Sequence, residues 1–208
     1  MYQNIATKVL TGEVRLSYCN LTSPRASLQG GEPKYSVTLL IPKSDNATHM
    51  DIENAIKAAY EEGVSKKWGG ARPQPKVIVH DGDGLRPSGL PFGEECKGCW
   101  VLTASSKIKP GVVGIDNVNC DLAPQDIYSG MYARVTLNFF AFDTAGNKGV
   151  GCGLGNVMKT RDGEPLSGGA SAASDFADFS TATAAPQYTQ PTAPQGGVRI
   201  NPITGQPM

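Results

Sequence analysis

Between Met131 and Asp143 two rows of side chains alternate. The odd positions, Met131, Ala133, Val135, Leu137, Phe139 and Ala141, form an unbroken apolar row. The even positions are Tyr132, Arg134, Thr136, Asn138, Phe140 and Phe142. Such alternation is that of a half-buried strand. An ordinary solvated face would carry Lys, Glu, Thr and Ser, whereas this one mixes aromatic rings with a guanidinium and hydrogen-bonding groups. Surfaces of this composition bind single-stranded nucleic acid: bases stack on rings for roughly 1–3 kcal/mol each, while Arg and Lys neutralise phosphates. Every base has a π-face, so no sequence code is needed. The same periodicity is compatible with Phe140 and Phe142 buried in a second core layer, and both readings stand at this point.

The following segment, Gly149-Val150-Gly151-Cys152-Gly153-Leu154-Gly155, puts Val150, Cys152 and Leu154 on one face and glycines on the other. Glycine weakens a strand and marks either a close approach by a ligand or backbone, or a sharp bend. The expectation is bare backbone beside the aromatic face. Outward positions of other strands add cations, namely Arg15, Lys34, Lys107, Lys109 and Lys148, which together would track a phosphate backbone. Trp100 and Tyr35 are further stacking candidates.

Other chemistries find less support. Five cysteines, an odd number without a signal-peptide pattern at the start, argue for a reducing compartment rather than a disulfide scaffold. Cys96-Lys97-Gly98-Cys99 has the spacing of half a zinc site and lacks a second pair. Asp81-Gly82-Asp83-Gly84 departs from a calcium loop, because Leu85 and Arg86 stand where an acid or amide and then a glycine are required. It is expected to be a turn. No phosphate-binding glycine motif or catalytic triad is assembled, so no metal, no cofactor and no enzymatic activity are expected.

The elements that would position the aromatic row are mostly strands. In Gly12–Asn20, Val14, Leu16 and Tyr18 are expected inward, with Glu13, Arg15 and Ser17 outward. In Tyr35–Pro42, Tyr35, Val37, Leu39 and Ile41 are expected inward, with Lys34, Ser36 and Thr38 outward. One helix is expected, capped by Thr48 or Asp51, striped by Ile52, Ala55, Ile56, Ala59 and Tyr60, and ended by Gly63. Lys76–His80, Trp100–Ile108 and Lys148–Lys159 are further strands, and the turn Asp143–Asn147 joins the last to Met131–Asp143. The fold expected is mainly β: a five- to six-stranded antiparallel OB-type barrel with one α-helix. Residues 1–179 would form this domain. Residues 180–208, rich in Ala, Thr, Gln and Pro, would form a disordered tail. No stretch approaches the length of a transmembrane helix.

The chain has 208 residues, with 19 Lys plus Arg against 19 Asp plus Glu. That zero is a cancellation. Residues 1–161 hold 18 basic and 15 acidic side chains, a net of +3, and the remainder, with Arg199 against Asp162, Glu164, Asp175 and Asp178, has −3. A mildly basic body does not exclude a nucleic-acid partner, but its affinity would lean on stacking more than on bulk charge.

From Tyr128 onward the sequence resembles the tailed-phage single-stranded DNA-binding proteins, a family first grouped as a domain of unknown function. The motifs are Tyr128-Ser129-Gly130, Phe140-Ala141-Phe142-Asp143, Gly146-Asn147-Lys148-Gly149, Gly153-Leu154-Gly155-Asn156-Val157, Asp162-Gly163-Glu164 and Asp175-Phe176. Looser similarity runs upstream through Lys34–Lys43 and from Gly98-Cys99 to Lys109-Pro110-Gly111. The resemblance implies an OB-fold that binds single-stranded DNA without sequence preference during phage replication or recombination, in the cytoplasm of the bacterial host. It places Tyr132, Arg134, Phe140, Phe142 and Lys148 on or near the binding sheet. Expected partners are single-stranded DNA, replication or recombination proteins reached through the C-terminal region, and further copies of the chain along the strand. The rivals are a phage structural or assembly protein that uses the aromatic face as a protein interface, and a metal-dependent nuclease built on Asp81 and Asp83.

Overall fold

The computed structural model describes residues 2–26, 31–144 and 146–166. The expected domain boundary at 179, the tail at 180–208 and Asp175-Phe176 lie outside them. The described strands are β1 (Lys8–Leu10), β2 (Val14–Arg25), β3 (Lys34–Pro42), β4 (Val79–Asp81), β5 (Cys99–Ser106), β6 (Val112–Gly114), β7 (Asn117–Asp121), β8 (Tyr132–Thr144) and β9 (Asn147–Arg161), and the helix is α1 (Asn46–Lys66).

Five of these strands close a circuit: β2 pairs β3, β3 pairs β5, β5 pairs β9, β9 pairs β8, and β8 returns to β2. This is an OB-type arrangement, although it is not a uniform barrel. The β5–β9 contact is a single parallel pair, Ser105↔Gly153, and β2 meets β8 only at Val14↔Ala133 and Arg15↔Tyr132. The all-antiparallel expectation is therefore corrected, since β6 also runs parallel to β9. The strand count exceeds the expected five or six because β1, β4, β6 and β7 are annexes of three to five residues. Segments that short carry too few residues for periodicity to register.

The apolar row of β8 fills the interior. Ala133, Val135, Leu137 and Phe139 are buried there with Leu16, Val37, Leu39, Ile41, Leu102 and Val157. Ile52, Ala55 and Ala59 bring α1 onto the same core. The helix begins one turn earlier than expected, because Asp45 accepts a hydrogen bond from the Thr48 backbone N–H at 3.0 Å and so acts as the N-cap. Gly63 does not end it. A Cβ at Gly63 would come within 2.7 Å of Ala141 Cβ, so the missing side chain lets the helix pass against β8. Beyond it, Lys67 Nζ donates to Ala141 O at 2.9 Å and Trp68 Nε1 to Phe142 O at 3.0 Å, tying the helix end to the outer end of β8.

Strand β2 breaks its expected alternation. Its register on β3 shifts between Ser17 and Asn20, and Tyr18 takes φ 48°. This bulge turns Tyr18, expected inward, out to solvent, while Ser17 stays on the outer face opposite Thr38, although buried there, before Leu21 re-enters the core. The segment Lys76–His80 contributes only its end to a strand, β4.

Candidate nucleic-acid interface

The outward row of β8 is as expected, with Arg134, Asn138 and Phe140 exposed and Tyr132, Thr136 and Phe142 half-buried. Phe140 retains 45% of its surface in contact with solvent, so it is not a core residue. The glycines of β9 are not bare, however. A Cβ at Gly151 would sit 2.9 Å from Phe140 Cζ, and one at Gly149 would sit 3.0 Å from Phe142 Cζ. The two rings lie across the glycine backbone of the neighbouring strand, each opposite its register partner, Phe140↔Gly151 and Phe142↔Gly149. Glycine therefore seats each ring against the sheet and leaves its other face turned away.

Around Phe140 opens a groove of about 700 Å³ whose walls include Lys8, Lys34, Ser105, Lys107, Asn138 and Phe140. Four elements supply them. Lys34 opens β3 and Lys107 follows the last residue of β5, while β1 brings Lys8 opposite Asn138. The floor is kept low by Gly153 and Gly155. At its edge Thr136 Oγ1 accepts from the Asn156 N–H at 2.7 Å, which fixes that side chain in the sheet. Lys107 forms a salt bridge with Glu32, both side chains being about two-thirds exposed. Lys107, and secondarily Lys34, hold the Glu32 carboxyl below its ordinary range.

The structure thus brings Phe140, Lys34 and Lys107 together and separates the other candidates from them. Tyr132 is no open platform. The Arg161 guanidinium lies 3.4 Å from its ring centroid, with Arg15 on it at 5.9 Å. Arg15 is held by two carbonyls, Glu164 O at 2.7 Å and Gly130 O at 3.3 Å, and Arg161 by Glu13 at 2.9 Å. These contacts fasten the end of β9 across β2 and β8. Trp100 is stacked on His49 at 4.5 Å between centroids, with Lys43 Nζ 5.1 Å from its ring. Tyr35 is half-buried opposite Ser106, in the row of Val37 and Leu39.

Phe142 forms a second cluster at the hairpin end. Lys76 Nζ lies 6.0 Å from its ring centroid and donates to Asn147 Oδ1 at 2.5 Å, while Lys148 faces Asp143 at 3.7 Å. Arg134 on β8 and Lys109 beyond the end of β5 are exposed. Lys8 and Glu32 escaped the sequence reading. Lys8 lies on a strand of three residues, and the partner of Lys107 is far from it in sequence.

Asp81 and Asp83 do form a turn, and both clamp Lys43, at 2.6 and 2.7 Å. Hydrogen bonding to that ammonium depresses both carboxyls and raises Lys43. Among the described residues no cluster of three or more His, Cys, Asp or Glu is arranged to hold a metal. All five cysteines are free; burial pushes the Cys19 thiol up to about 12 and raises Cys152 as well. No helix among the described residues is long and apolar enough to cross a membrane.

A closed five-strand circuit that presents a ring-bearing, lysine-lined groove on its outer surface defines an oligonucleotide-binding type of β-fold. The chain belongs to the family described as Enterobacter phage Enc34, ssDNA-binding protein, whose model matches residues 7–186. The single-stranded DNA-binding protein from bacteriophage Enc34, solved in complex with ssDNA, is 29% identical, with 77% of this chain and 89% of that chain covered and a TM-score of 0.61. A putative protein, p50, of Acyrthosiphon pisum secondary endosymbiont phage 1 is 32% identical over 188 residues, or 84% of this chain and 95% of its own length. The single-stranded DNA-binding protein gp2.5 of bacteriophage T7 shares the fold, at 17% identity and a TM-score of 0.52 over 82% of this chain and 93% of that one.

Proposed function

We propose that this chain binds single-stranded DNA without sequence preference, as a protein without catalytic activity in phage DNA replication or recombination, within the host cytoplasm. The observation that carries the reading is the convergence of Phe140 with Lys8, Lys34 and Lys107 in one open groove. Phe140 offers a face for a base, the lysines lie where phosphates would pass, and Asn138 and Ser105 offer hydrogen bonds that any base can use. Arg134, Lys109 and the Phe142–Lys76–Lys148 cluster extend the positive surface to either side, while Tyr132, Arg15 and Trp100 support the sheet. Membership of a phage single-strand-binding family supports the DNA assignment, as does the complex of the Enc34 protein with ssDNA. Residues 1–179 would be the binding domain, and the C-terminal region beyond it would reach replication or recombination proteins.

Titration of labelled single strands and matched duplex at several salt concentrations tests the reading. Single strands should bind more tightly than duplex, with an affinity that falls as salt rises. Equal or tighter duplex binding overturns it. Phe140→Ala should weaken single-strand affinity by about 1–3 kcal/mol, the worth of one stacked base, without lowering the melting temperature.

A further inference from the structure

A second cleft, of about 200 Å³, opens elsewhere on the same sheet, walled by Tyr18, Thr38, Arg86, Phe92, Val101 and Thr103 among others. The loop between β4 and β5 builds its far side. That loop folds over β3 and β5 so that Leu40 and Val101 are buried with Cys96, against Phe92. Tyr18 supplies the near side. Its φ of 48° is in the left-handed region, which a bulky aromatic residue enters only under constraint. Strain of this kind persists where the surroundings impose it, and it concentrates at functional sites. Here it leaves the Tyr18 ring 60% exposed, although Leu16 and Leu21 on either side are fully buried and fill the core without it.

Opposite Tyr18, the Arg86 guanidinium lies 5.4 Å from the Phe92 ring centroid, and His80 is tilted against the same ring at 6.2 Å. Arg86 Nε is shielded from water and has no hydrogen-bond partner among the described residues. A planar donor group resting on an aromatic ring is suited to a phosphate oxygen or a base carbonyl. The cleft and the Phe140 groove share two strands. On β3 the outward positions run Thr38, Ser36, Lys34, and on β5 they run Thr103, Ser105, with Lys107 just past the strand's end. Thr38 and Thr103 join their hydroxyls at 3.1 Å, and Asn20 Nδ2 donates to Ser36 Oγ at 3.2 Å. The lane between the two sites is therefore lined by short polar side chains.

We infer that Tyr18, Arg86 and Phe92 form a second nucleotide subsite, so that one single strand runs from Phe140 along this lane to Tyr18. The inference rests on the single-strand reading above and adds to it the path of the strand. Tyr18 would stack a base, and Arg86 would hold the adjoining phosphate or a base carbonyl.

The test uses the full chain and the variants Tyr18→Asn and Tyr18→Gly, both of which tolerate a left-handed backbone and so keep the fold. Affinities are measured for oligothymidylates of about 4 and about 16 nucleotides, the ends of the range that one OB-fold occupies. The longer strand should bind each variant about fivefold to about 150-fold more weakly, the worth of one stacked base, and the shorter strand as it binds the unaltered chain. Arg86→Gln should act in the same direction on the longer strand. If both Tyr18 variants melt as the unaltered chain does and bind the longer strand equally well, the second subsite is overturned. An equal loss for both lengths overturns its separateness from the Phe140 groove. Failure of the unaltered chain to bind either length is a different failure, that of the single-strand reading itself.

Discussion

On the outward row of β8, Tyr132 is covered and Phe140 is open, and the two should respond oppositely to removal. Tyr132→Ala strips a ring from beneath the Arg161 guanidinium, 3.4 Å away. It should lower folding stability by about 2 kcal/mol, from lost apolar burial and a lost cation–π contact, while leaving the single-strand affinity of the folded fraction unchanged. Chemical denaturation paired with oligonucleotide titration separates the two effects. Glu32 makes a prediction of the other sign. Its carboxylate holds Lys107 at the groove, so a phosphate must displace it. Glu32→Gln should tighten single-strand binding, because Lys107 then meets a phosphate without first giving up its carboxylate partner. Weaker binding by this variant would show that Glu32 orients Lys107 rather than competing for it. The thiols differ as sharply. Cys120 is exposed, Cys96 is buried, and burial raises Cys19, Cys96, Cys99 and Cys152 above their ordinary range. Alkylation at neutral pH should therefore find one fast thiol, Cys120, with the other four reacting slowly unless the protein is unfolded.

Among the elements, β8 carries Phe140 of the proposed site, β9 seats its ring, and α1 fixes the outer end of β8. The glycines of β9 are better explained as seats for the two phenylalanine rings than as open backbone. A side chain at Gly151 would collide with Phe140 at 2.9 Å, so Gly151→Val should lift the ring off the sheet and weaken binding along with stability. The helix is started by Asp45, whose carboxylate receives the Thr48 N–H. Asp45→Ala should cost about 1 kcal/mol of stability, readable in a denaturant midpoint, with no direct effect on DNA affinity because the cap lies outside the groove. In β2, a single left-handed residue turns Tyr18 from the expected inward face to the outer one. That bulge is what makes the proposed second platform available at all.

Over the whole molecule, charge is spread thinly and acts locally. If Lys8, Lys34 and Lys107 are the phosphate contacts, the logarithm of affinity should fall with the logarithm of salt at a slope of about −2, at roughly −0.7 per phosphate on a single strand. A basic balance of only +3 over residues 1–161 fits that shallow dependence. Acid stability follows from the carboxylates. Arg161 first and Thr160 next hold Glu13 below its ordinary range, Lys43 does so for Asp81 and Asp83, and Lys159 does so for Asp162. The folded state binds these protons less readily than the unfolded state. The stabilisation is thus complete above the ordinary carboxylate values, near about 4, and is lost as pH falls through the lowered folded ones. Thermal melts taken downward from about pH 5 should show a falling midpoint, and Glu13→Gln should flatten that fall.

Alternation alone determined much of this protein. The two rows of β8, the inward rows of β3 and β9, the apolar stripe of α1 and the hairpin between β8 and β9 are all local patterns, because a strand or helix repeats its faces within a few residues. The motifs from Tyr128 onward carried the family resemblance for the same reason, being contiguous. Closure of five strands through one parallel pair was left to the tertiary structure, as was the choice of which aromatics are open. Tyr132 is covered by an arginine from another strand, and Trp100 by a histidine from the helix. Lys107 is held by a glutamate that no repeat relates to it. Exposure and pairing depend on what arrives from distant parts of the chain, and no periodicity within one segment encodes that arrival.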